Sequence, residues 1–560
     1  MNTGPSNCPW WKNVIAYQIY PRSFQDSNDD GIGDIPGIIS RLDEIRDLGI
    51  GLIWLSPVYK SPDADNGYDI SDYYSIDPKF GTMADMERLF AEASKRGIRI
   101  IMDLVINHTS DEHEWFKQSR NPSSPYRNYY IWQPPKKARN KKRMPPNNWR
   151  GFFMGDVWEF DETSGEYYLH LFDKKQPDLN YKNPKVIEEI KNILRFWLDK
   201  GAAGFRCDVI NIIYKTSLAD GKKNIGIQGI EHFKCQEGNH AVLKELRRDV
   251  LDKYDCFTVG ETVMVDLAEA KLLCDADRKE LNTLFYFDHL EVDRRVSQFI
   301  PKKFKASKLL EVISKWQQGL EWNAVYLENH DQARIVSHFG AGTCSADGKP
   351  GPYWQRSAKM LALMELTLRG MPFIYQGQEI GMTNFDFKSL DELNDVMSHG
   401  LDMLMKKLCI PRFLRWKWLK ASSRDNARTP MQWDSSENAG FSRAAPWLGI
   451  NSNYAHINYA SQKNDPGSVL SFYKTLTALR LKSECLKSGS FTPLYADGRL
   501  MVYQRSLDNE VYTIALNFSA QKTRLPPKAA ALLAGKLLVS SADSTGIGRE
   551  LLPWEGVLLH

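Results

Sequence analysis

Apolar positions along the chain fall into two alternating rhythms. Short continuous runs at 14–20, 50–55, 98–105, 205–209, 256–260, 283–287, 322–327 and 371–375 have the length and composition of buried strands. Between them lie stretches of helical period at 38–48, 82–96, 184–200, 241–254, 307–318 and 354–368. Strands alternating with helices at this spacing predict a parallel sheet. Eight of them predict an α/β fold, a (β/α)8 TIM barrel.

The rhythm fails twice. From 109 to about 180 it gives way to Pro and Trp clusters, a basic tract at 136–143 (KKARNKKR) and short aromatic strands such as 166–172. An insertion of this size after the third strand predicts a subdomain lying over the barrel mouth. After a last helix near 470–481, alternating runs at 499–504 and 511–517 predict a C-terminal antiparallel β-domain. The expected division is therefore 1–108 and 181–487 for the barrel, 109–180 for the insertion and 488–560 for the β-domain.

Composition narrows the function classes. A net charge of +4 over 560 residues leaves no footprint for nucleic acid or a membrane surface. The first residues (MNTGPSNCPWWKNV) lack the basic head and apolar core of a secretory signal, and no apolar run has spanning length. Eight scattered cysteines without a CxxC pair argue against a disulfide framework and a zinc site. A cytoplasmic, monomeric protein without an organic cofactor is expected.

Candidate chemistry gathers at strand ends. Strand four lies within GAAGFRCDV (201–209), where Arg206 and Asp208, two apart, share a face. Arg206 then either holds Asp208 ionised at the rim where a barrel keeps its chemistry, or merely closes a strand. Glu261 and Asp331 end strands five and seven, and His108 and His330 stand beside them. Two carboxylates plus a third suit glycosidic cleavage by double displacement: one attacks the anomeric carbon, one protonates the leaving sugar. After strand one, DSNDDGIGD (26–34) places oxygen donors at Asp26, Asn28, Asp30, the Ile32 carbonyl and Asp34. These match the first nine positions of a calcium loop, with Gly31 for its turn and no EF-hand glutamate at position 37. The loop holds either Ca2+, ahead of Mg2+, or only a polar turn capping the next helix. The basic tract is a solvated loop or a site for a phosphorylated substrate.

Four motifs carry a resemblance: DLVINH (103–108), GFRCDVIN (204–211), VGET (259–262) and ENHD (328–331). In this order, on these strands, the sequence resembles the α-amylase family of glycoside hydrolases over essentially its whole length. YQIYPRSF (17–24), the 26–34 loop, QPDLN (176–180) and SRDNARTPMQW (423–433) are similar to its oligo-1,6-glucosidase branch. The resemblance implies Asp208 as nucleophile, Glu261 as acid/base and Asp331 as transition-state stabiliser. It implies that Asp65, Tyr68, His108, Gln176, Arg206, His330 and Arg428 clasp a terminal glucose. In that branch a valine after the nucleophile, here Val209, accompanies preference for α-1,6 links, and a small residue accompanies α-1,4. Ala333 and Cys207 depart from the family pattern, and 224–239 matches the branch poorly. The expected reaction is release of terminal α-1,6-linked glucose from isomaltose and short isomalto-oligosaccharides. Action on sucrose or α-1,4 links, sucrose isomerisation and trehalose-6-phosphate hydrolysis are the alternatives.

Overall fold

A computed structural model describes residues 8–137, 143–223, 226–295, 300–345, 347–533, 535–546 and 548–560. Its central sheet contains β1 (Ala16–Ile19), β2 (Leu52–Leu55), β3 (Arg99–Leu104), β4 (Gly204–Cys207), β5 (Phe257–Glu261), β6 (Thr283–Phe285), β7 (Ala324–Val325) and β8 (Met371–Tyr375). All pairings are parallel, in the order β6-β5-β4-β3-β2-β1-β8-β7. Side chains draw β6 and β7 together: Thr283 donates to the Trp322 carbonyl at 2.9 Å, and Tyr326 donates to that of Tyr286 at 2.8 Å. The barrel is nearly closed, and its strands are buried on both faces. Trp54, Phe285 and Phe373 fill it, with ring centroids 5.5 and 4.8 Å apart, and the site rests on this aromatic floor.

Helix boundaries follow local chemistry. α1 (Met83–Lys95) starts at Thr82, whose side chain and that of Asp85 cap each other's backbone N–H. α2 (Pro184–Asp199) carries an Asn183 cap and a first-turn proline. It delivers the chain to Gly204, where φ is +135° and a Cβ would lie 1.8 Å from the Phe257 carbonyl. Only glycine lets β4 lie this close to β5. The 38–48 pattern is broken at Arg41 into two helices, Ile35–Ser40 and Leu42–Asp47.

Two strand expectations are corrected. The run 322–327 is apolar because it is buried, yet only Ala324 and Val325 pair. The run 205–209 leaves the sheet after Cys207, and Val209 takes a left-handed conformation (φ 36°, ψ 40°). Its side chain is therefore placed by a turn, not by strand alternation.

Between β3 and α2, short strands Trp132–Gln133, Glu166–Leu169 and Trp158–Asp161 form an antiparallel sheet. The core beside it, including Trp149, Trp158 and Leu171, is completed by Val209, Ile212 and Phe233 from the loop after β4. The insertion is thus packed onto the segment that carries Asp208. At the other end, β9 (Ser490–Ala496), β10 (Leu500–Leu507), β11 (Glu510–Asn517), β12 (Leu537–Ser540) and β13 (Gly556–Leu559) form an antiparallel sheet ordered β9-β10-β11-β13-β12. It leans on helix α3 (Trp354–Thr367), where Tyr503 and Thr367 hydroxyls meet at 2.6 Å. All eight cysteines are free thiols, and no helix among the described residues is long and apolar enough to cross a membrane.

Candidate active site

Arg206 points from β4 into the barrel mouth, its side chain 2% exposed. Its Nη1 donates to Asp103 Oδ1 at 2.6 Å and Asp208 Oδ1 at 2.7 Å, and Nη2 donates to Glu261 Oε2. One guanidinium thus serves three carboxyls from β3, the end of β4 and the end of β5. Asp103 is further fixed by Trp54 Nε1 at 3.1 Å and the Tyr68 hydroxyl at 3.0 Å. Burial pushes the Asp208 carboxyl up to about 7; Arg206 opposes this, while the Asp103 and Asp331 charges reinforce it. A single cation does not offset burial and these charges, so the carboxyl stays raised. Asn211 ties the two strand ends together: its carboxamide accepts from Val263 N at 2.9 Å and donates to Val263 O at 3.0 Å.

The opposite pole reverses the balance. Asp331 Oδ1 accepts from Arg428 Nη2 at 2.8 Å and Arg424 Nη1 at 3.2 Å, and Oδ2 lies 3.2 Å from His330 Nε2. Burial alone would raise this carboxyl, but His330, Arg424 and Arg428 hold it well below the usual range. His330 is sandwiched between Tyr68 and Tyr20, at 5.2 and 6.0 Å. Gln18 Nε2 lies 2.8 Å from its Nδ1, which leaves Nε2 as the nitrogen that carries the ring proton.

The remaining expected sugar contacts adjoin these poles. Asp65 accepts from Arg424 Nη2 at 3.3 Å and from Gln176 Nε2 at 3.2 Å. Gln176 Nε2 lies 3.1 Å from His108 Nε2, which itself is 3.1 Å from the Tyr68 carbonyl. Asp65, Tyr68, His108, Gln176, Arg206, His330 and Arg428 are all buried. Such a wall of oriented donors and acceptors can read hydroxyls on a small polar ring. Sequence reasoning assigned no role to Arg424 or Asp103. Arg424 binds Asp65, Asp331 and Asp395 at once, the last at 2.7 Å. Its sequence signals were its place inside SRDNARTPMQW (423–433) and its spacing of four from Arg428.

In the 26–34 loop the oxygen side chains are engaged by neighbouring N–H groups. Asp26 accepts three backbone N–H bonds, from Asn28, Asp29 and Gly31. Asn28 and Asp30 accept from Asp30 and Ile32 N–H groups. Asp34 accepts from Ser27 and from Gly37 N, so it caps the helix Ile35–Ser40. Among the described residues, no three His, Cys, Asp or Glu side chains are arranged to hold a metal ion. The described ends of the basic tract are paired, Lys136 with Asp220 and Arg143 with Glu162; residues 138–142 lie outside the described residues.

The alpha-amylase catalytic-domain family matches residues 18–489. An oligo-1,6-glucosidase of Parageobacillus thermoglucosidasius is 46% identical, with 98% of each chain covered. The solved trehalose-6-phosphate hydrolase of Bacillus licheniformis superposes with a TM-score of 0.89 at 40% identity, over 99% of this chain and 100% of that one. The trehalulose synthase of Pseudomonas mesoacidophila MX-45 does so with a TM-score of 0.91 at 39% identity and the same coverage. Barrel, strand-end carboxyls and near-full-length likeness converge: the chain belongs to the α-amylase family and is a glycoside hydrolase.

Proposed function

We propose that the chain is a retaining exo-α-glucosidase that removes terminal α-1,6-linked glucose from isomaltose and short isomalto-oligosaccharides. The observation that carries the reading is Arg206, which bridges Asp208 and Glu261 on adjacent strand ends. In this mechanism the Asp208 carboxylate attacks the anomeric carbon while Glu261 gives its proton to the leaving oxygen. Charge builds on the sugar ring, and Asp331, held ionised by His330, Arg424 and Arg428, stabilises it. Glu261, now a base, takes a proton from water as that water displaces Asp208, and α-glucose is released. The 46% identical oligo-1,6-glucosidase supports the linkage.

Two other readings have support in the comparisons, which include a trehalose-6-phosphate hydrolase and a MutB mutant solved in complex with the substrate sucrose. Product analysis on isomaltose, maltose, sucrose, panose and trehalose 6-phosphate decides between them. Fastest glucose release from isomaltose is expected. Faster hydrolysis of trehalose 6-phosphate or maltose, or an isomerised disaccharide from sucrose, refutes the substrate assignment. Initial release of β-glucose refutes retention.

The proposal includes a structural Ca2+ held by Asp26, Asn28, Asp30, the Ile32 carbonyl and Asp34, with no part in the chemistry. It also includes a monomeric, cytoplasmic protein.

A further inference from the structure

Beneath the wall that carries His108 lies a buried ammonium for which the reaction has no use. The Lys215 side chain is 2% exposed, with Nζ 2.6 Å from Asp178 Oδ2. The same Nζ donates to Asn107 Oδ1 at 2.7 Å and reaches the Ile213 carbonyl at 3.4 Å. It therefore joins the loop after β3, the returning end of the insertion and its own loop after β4.

An ammonium can only donate. Asn107 must therefore present its carboxamide oxygen to Lys215 and turn its NH2 away. That NH2 meets His108 Nδ1 at 3.2 Å. It too can only donate, so Nδ1 is a bare acceptor and the ring proton sits on Nε2. From there it is donated to the Tyr68 carbonyl at 3.1 Å.

The other tautomer has a rival partner ready. Gln176 Nε2 lies 3.1 Å from His108 Nε2 and would donate to that nitrogen if it were bare. Gln176 cannot turn over, because its Oε1 accepts from Asp173 N at 3.0 Å. The ring alone does not choose between Tyr68 and Gln176. The choice is made at Asn107, and Asn107 answers to Lys215.

We propose that Lys215 is a positioning residue that selects the tautomer of His108 through Asn107, making Nε2, the nitrogen between the Tyr68 carbonyl and Gln176, a hydrogen-bond donor. Its consequence for sugar binding rests on the reading that His108 faces the terminal glucose. The charged groups around the ring are Asp178, Asp65 and Lys215; burial lowers the His108 pKa, both carboxylates raise it and Lys215 lowers it. Lys215 thus also opposes the pull of Asp178 on the imidazole, alongside the larger effect of burial.

The test is 15N NMR of the imidazole nitrogens in wild type, Lys215→Met and the double variant Lys215→Met/Asp178→Asn. The His108 signals are identified by their loss in His108→Gln. Wild type is expected to carry the proton on Nε2. Both variants are expected to gain a large Nδ1-protonated fraction, with KM raised roughly tenfold and kcat nearly unchanged, the size of one lost pocket hydrogen bond. In Lys215→Met alone, binding should also acquire a dependence on His108 protonation, absent again in the double variant. If Lys215→Met does not fold, the double variant, which buries no orphaned charge, carries the test. An Nδ1-protonated wild type, or an unchanged tautomer in the variants, overturns the proposal. A shifted tautomer with unchanged KM upholds the relay and refutes the sugar-binding role of His108.

Discussion

Replacing Arg206 by lysine keeps a positive charge and removes the fork that divides it. In the structure Nη1 serves Asp103 and Asp208, at 2.6 and 2.7 Å, while Nη2 serves Glu261. A shorter ammonium on one carbon stem cannot reproduce that planar division. Loss of one charge-assisted contact is worth roughly 1.5–3 kcal/mol, or about one to two pKa units at 1.36 kcal/mol each. Asp208 stands at about 7 with Arg206 pulling it down, so weakening that pull raises it further. Only the ionised carboxyl attacks; activity is therefore lost as pH falls through its pKa. The acid limb of kcat/KM, which belongs to the coupled site, should move from near 7 in wild type to about 8–9 in Arg206→Lys. Near neutral pH the variant then loses roughly ten- to a hundredfold, and part of that returns on the alkaline side. Initial rates on a chromogenic α-glucoside, measured across the neutral and alkaline range with melting temperature as a folding control, read both limbs. An equal loss at every pH, with the limb unmoved, refutes the claim that Arg206 sets the charge of Asp208.

Three further outcomes are expected. Asp208→Asn should fold normally by circular dichroism yet lose several orders of magnitude in turnover; retention of more than about a tenth of wild-type activity refutes its role as nucleophile. Val209→Ala should raise maltose turnover relative to isomaltose, by at most roughly ten- to two-hundredfold. An unmoved ratio transfers linkage selection to the neighbouring loop that packs on Trp149 through His232, with rings 5.6 Å apart. A chelator in excess should lower the melting temperature, because a cation bound only to the native state adds to folding free energy; no change, with no metal in elemental analysis, excludes the loop cation.

The barrel was legible because buried parallel strands need apolar side chains on both faces, and those runs stand out. Their ends were less legible, because hydrophobicity reports burial and not pairing. Tyr326 and Leu327 are buried without a partner strand, so the seventh run reads longer than β7. Val209 looks like a strand residue by composition, but the chain must turn at Asp208 to leave the sheet, and a β-branched residue is held at φ 36° in consequence. Helices α4 (Val396–Lys407) and α5 (Arg412–Ser422) went unread. Met403, Leu408 and Phe413 stand exposed on and between them, which blurs the apolar stripe that marks a helix.

The site was legible where its residues end strands, and not where it depends on distant partners. Arg424 lies 359 residues from Asp65 and 93 from Asp331, so no spacing rule could have joined them. Asp103 looked like a lone charge inside an apolar strand. Each contributes to the protonation of one pole of the site. On one side, Arg206 alone faces Asp103, Asp208 and Glu261, and burial wins: the Asp208 carboxyl is raised. On the other, His330, Arg424 and Arg428 face Asp331, and its carboxyl is depressed. The same side chain is thus driven in opposite directions by the charges and donors around it. The linkage signs follow. Asp208, raised when folded, contributes stability below the ordinary carboxylate range and loses it as pH rises through about 7. Asp331, depressed when folded, contributes stability above that range and loses it only as pH falls through its lowered value. Near neutral pH the free site is therefore strained at Asp208 and relaxed at Asp331. That strain falls on the carboxyl proposed to attack and so lose its charge to a covalent bond, while Asp331 remains ionised throughout.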